Sequence, residues 1–178
     1  NIPVEVKNSS FSLVNTGTGF SRFFPDSLKN GGTAFNYGLE FTLERFFVKG
    51  YYFLTTVSLF ESKYKGSDGL LRNTDFNGQY AWNVLFSKEF KVGNAKFIDF
   101  GSKVTQLGGR WYGPADTLLS NQQKEFVVQD AARNTLRFDN YFRLDFKVNY
   151  KINKAKVTHE IALDLVNALN TKNVLKLT

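Results

Sequence analysis

Apolar and polar side chains alternate with period two along much of the chain, in runs of roughly 11 to 13 residues. An ordinary globular strand has about 5–6 residues, whereas a tilted strand needs about 9–11 to cross the hydrocarbon of a bilayer. The cleanest run is 141–151, with Phe142, Leu144, Phe146, Val148 and Tyr150 on one face and Arg143, Asp145, Lys147 and Asn149 on the other. A slip of one residue would turn both cations to the apolar side, at about 2–4 kcal/mol each if that side met lipid near the midplane. Residues 33–45 set Phe35, Tyr37, Leu39, Phe41 and Leu43 against Asn36, Gly38, Glu40, Thr42 and Glu44. Residues 51–63 set Tyr51, Phe53, Thr55, Val57 and Leu59 against Thr56, Ser58 and Ser62, with Leu54 and Phe60 interrupting the polar side. Residues 78–90, 96–107 and 157–169 predict three more strands, and 3–7 reads as the end of an earlier one.

The connections alternate in length. Short turns are predicted at 46–50, 91–95 (with Gly93-Asn94) and 152–156, and long polar stretches at 8–32, 64–77 and 108–140. Short turns at one rim and long loops at the other are how outer-membrane barrels are built, the short rim being periplasmic. Aromatics gather near strand ends, Phe46, Phe47, Tyr51 and Tyr52 at one turn and Phe90 and Phe97 at the next, as an interfacial girdle requires. A soluble sandwich alternates too; strand length and loop asymmetry favour the membrane barrel. Six strands cannot close such a barrel, whose smallest bacterial examples have about 8. The chain is therefore expected to be a fragment of a longer polypeptide, assembly of one barrel from several copies being rarer.

Composition narrows the options. Mean hydropathy is −0.29, and no apolar run approaches the roughly 18 residues of a membrane helix. Cysteine is absent, which removes disulfide frameworks and thiolate metal sites. The net charge of +7 would, on a compact soluble domain, raise nucleic acid or an anionic membrane as partners. Here the cations are scattered, often beside acids as in Glu44-Arg45 and Lys88-Glu89, and no nucleic-acid-binding signature is present.

Catalytic chemistry has little to stand on. His159, the single histidine, falls on the outward face near a short turn and reads as an interfacial residue rather than a base or ligand, so neither an enzyme nor a cofactor or metal is expected. In a barrel the polar face lines the lumen, which places Glu40, Glu44, Lys103, Arg143, Asp145, Lys147 and Asp164 there. Glu40 and Glu44 could mimic a glycosidase pair; lumenal acids paired with cations such as Lys103, Arg143 or Lys147 are the better reading. Residues 66–69 and 73–75 superficially resemble a calcium loop, but the spacing is not met and a turn-rich surface loop is expected. Arg110, Trp111 and Tyr112 open the longest loop and are the candidates for external ligand contact, with anchoring of the rim as the alternative.

Residues 36–64, NYGLEFTLERFFVKGYYFLTTVSLFESKY, and 139–174, DNYFRLDFKVNYKINKAKVTHEIALDLVNALNTKNV, resemble TonB-dependent outer-membrane receptors of the Bacteroidetes type, as do RNTDFNGQYAWNVLFSKEFKVG at 72–93 and GGRWYGP at 108–114. The resemblance implies an all-β fold: six complete strands of an antiparallel transmembrane barrel of about 22, closed around an N-terminal plug. Residues 1–178 would be the C-terminal portion of that barrel, with the plug and the final strand outside it. It further implies bacterial outer-membrane localisation and TonB-driven uptake of a scarce ligand such as an iron chelate, cobalamin, glycan or peptide. The partners would be membrane lipid, the TonB complex and the transported ligand, with a surface lipoprotein as a further candidate. A non-transporting barrel, such as an adhesin or secretion component, would share this wall; a soluble carbohydrate-binding β domain would not.

Overall fold

The computed structural model describes residues 4–16 and 27–174. Six long strands run as an antiparallel meander: β1 (Thr33–Val48), β2 (Tyr51–Lys65), β3 (Tyr80–Gly93), β4 (Lys96–Leu107), β5 (Tyr141–Asn153) and β6 (Thr158–Leu165). Each pairs with its sequence neighbours, so β1 and β6 are the open edges and the sheet does not close. A short strand, Leu71–Asn73, pairs beside the long-loop end of β2.

Turn chemistry accounts for the tight end. Lys49 and Gly50 both have positive φ, +54° and +75°, as a two-residue hairpin turn with the twist of its strands requires. A Cβ on Gly50 would meet the Glu89 carbonyl oxygen at 2.8 Å. The second turn is Asn94-Ala95, one residue later than expected: Gly93 belongs to β3, in a bulged register with Lys96, and Ala95 takes the left-handed conformation. The third spans 154–157, closed by the Lys154 N–H to the Val157 carbonyl.

Register carries each face across all six strands. Opposite residues in an antiparallel pair share a face. Leu39 lies opposite Leu59, Leu59 opposite Tyr80, and Val84 opposite Val104, which faces Leu144. Phe100, Val148 and Leu163 continue the row to the far edge. The other face runs from Glu40 and Ser58 through Ala81 on β3 and from Asn83 through Thr105 to Arg143. Phe60, the aromatic that interrupts it, lies opposite Gly38, where a Cβ would come within 2.8 Å of the Phe60 Cβ.

The apolar face packs on nothing. Leu39 is 80% exposed and Leu163 72%, and among the described residues the single buried large hydrophobic is Tyr64, at the loop end of β2. The chain exposes 12300 Å², where a compact monomer of its 20.3 kDa would expose about 8,800 Å².

Three expectations change. Val4–Val6 is not the end of a sheet strand; it pairs with Leu28–Asn30 in a separate two-stranded piece among the long loops, and Pro3 lies outside the described residues. The strand expected over 157–169 ends at Leu165, because Asn167 turns left-handed at φ +54° and the Asp145 carboxylate takes its N–H. The third strand starts at Tyr80 rather than Gly78, whose carbonyl is held by the Arg137 guanidinium.

Candidate functional site

The polar face gathers most of the predicted lumenal charges into one place. Lys103 on β4, Arg143, Asp145 and Lys147 on β5, and Asp164 on β6 line a depression of about 510 Å³, floored by Gly101 and walled by Leu85. Its charges are largely paired. Arg143 donates to Asp145 at 2.9 Å, and Lys147 lies 3.7 Å from Asp164. Asp145 also accepts the Asn167 N–H at 2.8 Å, which ties the segment after β6 to the β5 backbone. Asn173 completes that tie by accepting the Phe142 N–H and donating to the Phe142 carbonyl, both at 3.0 Å. Lys103, directly opposite Asp145 in register, has no ion pair among the described residues.

Glu40 and Glu44 are elsewhere, and their expected pairing with Lys103, Arg143 or Lys147 does not occur. They sit on β1, three or more strands from those cations, and strands are spaced about 4.8 Å apart. They accept instead from hydroxyls of the adjacent strand, Ser58 to Glu40 at 3.2 Å and Tyr52 to Glu44 at 3.1 Å.

At the long-loop rim the structure shows a polar hub that sequence reasoning missed. Asp130 accepts the Ser9 hydroxyl at 2.8 Å, the Ser10 N–H at 2.7 Å and the Ser10 hydroxyl at 2.9 Å. Arg133 donates through Nε to Ser10 at 2.9 Å and stacks over Phe11. From the middle loop, Ser67 donates to the carbonyls of Val6 and Ser9, and the buried Arg72 pairs with Asp68 at 2.7 Å while reaching the Ala131 carbonyl. Asn77 and Asn134, both buried, bond Asn73, and Asn134 also holds Asp75. Burial works against ionisation of Asp130, but its hydrogen bonds from Ser10 and Ser9 and the nearby Arg133 outweigh it and hold the carboxyl below its usual range. The Arg72 hydrogen bond does the same for Asp68. Three loops are thereby one body.

Arg110, Trp111 and Tyr112 join that body. Trp111 donates its indole N–H to the Asn77 carbonyl at 2.7 Å, its backbone N–H bonds the Asp75 carbonyl, and Arg137 lies over its ring. Arg110 stands over Phe76, and Tyr112 stacks on Phe138 at 4.1 Å. All three remain partly exposed. The serine and acidic oxygens of 66–69 and 73–75 are engaged in the hub, and among the described residues no group of three or more His, Cys, Asp or Glu could hold a metal. His159 lies opposite Ile152 on the apolar face.

Comparisons of the chain with protein-family models, curated proteins and solved structures find no significant match.

Proposed function

We propose that this chain forms part of the wall and external loops of an outer-membrane β-barrel that takes up a scarce ligand by TonB-driven transport, without covalent chemistry. One observation carries the membrane placement: an apolar face that stays in register across six strands of 8 to 16 residues with no layer packed beneath it. In water such a face would be an aggregation surface; against lipid it is the required exterior. The open edges at β1 and β6 need further strands, since unpaired backbone is intolerable in hydrocarbon. Transport through TonB rests on the family resemblance, and the tied loops suit a surface that recognises something outside the cell.

The placement is tested by labelling single cysteines in the full-length protein in isolated outer membranes with a membrane-impermeant maleimide. Leu163→Cys and Asp164→Cys are neighbours on opposite faces. Labelling at 164 with protection at 163 until detergent is added is the expected result. Rapid labelling at 163 in intact membranes, or recovery of the protein in the soluble fraction, would refute it. The uptake half is tested by comparing ligand-limited growth with and without a functional TonB complex.

A further inference from the structure

Positive charge is not spread evenly over the sheet. Following the register, the half of the apolar face next to the short turns carries Arg45 on β1, Lys88 on β3 and Lys96 on β4, and the turns add Lys49, Lys154 and Lys156. Among the described residues no Asp or Glu lies on that half of the face or in those turns. The nearest acids, Glu44, Glu89, Asp99 and Glu160, all belong to the polar face, where Asp99 pairs with Lys151. Cations on such a face with no carboxylate beside them are available to an anion from outside the chain.

Lys88 shows how the rim is built. Its neighbours across the strands are Tyr51 and Phe100. The ammonium stands 3.4 Å from the centre of the Tyr51 ring and 5.6 Å from that of Phe90, and it donates to the Lys49 carbonyl at 3.3 Å. The backbone beneath is fixed by the Glu89 N–H bonded to the Gly50 carbonyl at 2.8 Å. The stem thus lies along the apolar face while the charge reaches the hairpin tip, the snorkelling posture of an interfacial lysine. One of three ammonium donors is used on Lys49 and the Tyr51 ring covers a second side, which leaves the remaining donor for a ligand. Phe46 and Phe47, both exposed, flank the same tip at the bulge of β1.

We infer that this rim binds the phosphodiester headgroups of anionic phospholipids in the periplasmic leaflet, through Arg45, Lys49 and Lys88, an inference that rests on the membrane placement proposed above. Aromatic rings occupy the headgroup level, and the cations meet the phosphate. A zwitterionic lipid offers the same phosphate, but its own ammonium would find only cations along this rim. Selection for net negative lipid follows from the missing acids.

The test uses the full-length protein in phosphatidylcholine nanodiscs carrying trace spin-labelled phosphatidylglycerol or spin-labelled phosphatidylcholine, with the motionally restricted fraction giving relative association. The wild type is expected to prefer phosphatidylglycerol about fivefold or more, each contacting cation supplying a factor of that order. The preference should collapse near 1 M salt, where the screening length is about 3 Å. Combined Arg45→Gln, Lys49→Gln and Lys88→Gln should bring it close to parity, while Lys63→Gln with Lys65→Gln at the opposite rim should leave it intact. If the triple variant does not fold, Lys88→Gln alone decides: a preference reduced severalfold supports the rim, and an undiminished one overturns it. Wild-type protein that enters the bilayer but associates equally with both lipids overturns the inference and leaves the membrane placement standing. A folded triple variant with undiminished preference also overturns it, and protein that does not enter bilayers overturns both.

Discussion

Val148 is the position where lipid and water predict different outcomes. It lies near the middle of the 13-residue β5, opposite Phe100 on one side and Leu163 on the other, and all three side chains are exposed. Replacing it with arginine breaks no hydrogen bond and removes little packing. On a solvated sheet the change would fall within about 0.5 kcal/mol of neutral. Facing hydrocarbon near the midplane, it should cost about 2–4 kcal/mol, roughly a hundredfold in the folding equilibrium at 3 kcal/mol. Asn149→Arg, one residue on and on the polar face, is the matched control and should stay below about 1 kcal/mol if that face meets a wet lumen, where the charge would remain hydrated. The measurement is the urea midpoint of folding of the full-length protein into lipid vesicles, followed by fluorescence. Equal midpoints for Val148→Arg and wild type, or equal losses for the two arginine variants, would refute the assignment of faces.

Three further outcomes follow from the loops. Asp130→Asn should keep the Ser10 N–H bond but lose the charge that holds Arg133, loosening the hub by about 1–3 kcal/mol; hydrogen exchange of 9–16 and 127–137 should rise while the strands stay protected. Acid should act in the same place. The carboxyls of Asp130 and Asp68 lie below their usual range when folded, so their contribution is complete above the ordinary aspartate value of about 4 and is lost as pH falls through the depressed folded values. Protease cleavage of the loops should therefore increase below about pH 4 and not between pH 5 and 8. Gly109→Ala should be among the most damaging single changes in the long loop, because the added methyl collides with the Phe138 carbonyl oxygen; loss of about 1–3 kcal/mol, read as faster proteolysis at 108–140, is expected.

The strands were legible because their information is local. Alternation at 141–151 reports a face directly, and the chain realises it with the register intact from Phe142 to Tyr150. Lys103, Arg143, Asp145, Lys147 and Asp164 came together because antiparallel pairing of adjacent strands brings like faces together, across the long 108–140 loop as well as across the short turn at 154–157. Pairing partners were less legible. Glu40 and Glu44 were assigned to distant cations because periodicity gives the face of a residue but not its lateral position, which depends on strand order and spacing. The ends of elements shifted where a single residue adopts a left-handed backbone, as Asn167 and Ala95 do. The hub was invisible for a different reason: its serines, asparagines and Asp130 look like ordinary loop polarity, and only the i,i+3 spacing of Asp130 and Arg133 and the i,i+4 spacing of Asp68 and Arg72 offered local hints.

The hub has a consequence for the order of assembly. Asp130 bonds Ser9 and Ser10 across 121 and 120 residues of chain, whereas the hairpins of the sheet close over turns of a few residues. Closing so long a loop is entropically costly until intervening strands have shortened it. Once the meander from β1 to β4 is paired, the first and third loops leave the same rim three strands apart, about 14 Å, so the span still to be closed is far shorter than the intervening chain. The loop knot is thus expected to set last, after the strands, and contacts that form after the rate-limiting step govern escape rather than arrival. Weakening Asp130 should shorten the lifetime of the finished loop cluster while leaving the rate at which the strands fold unchanged.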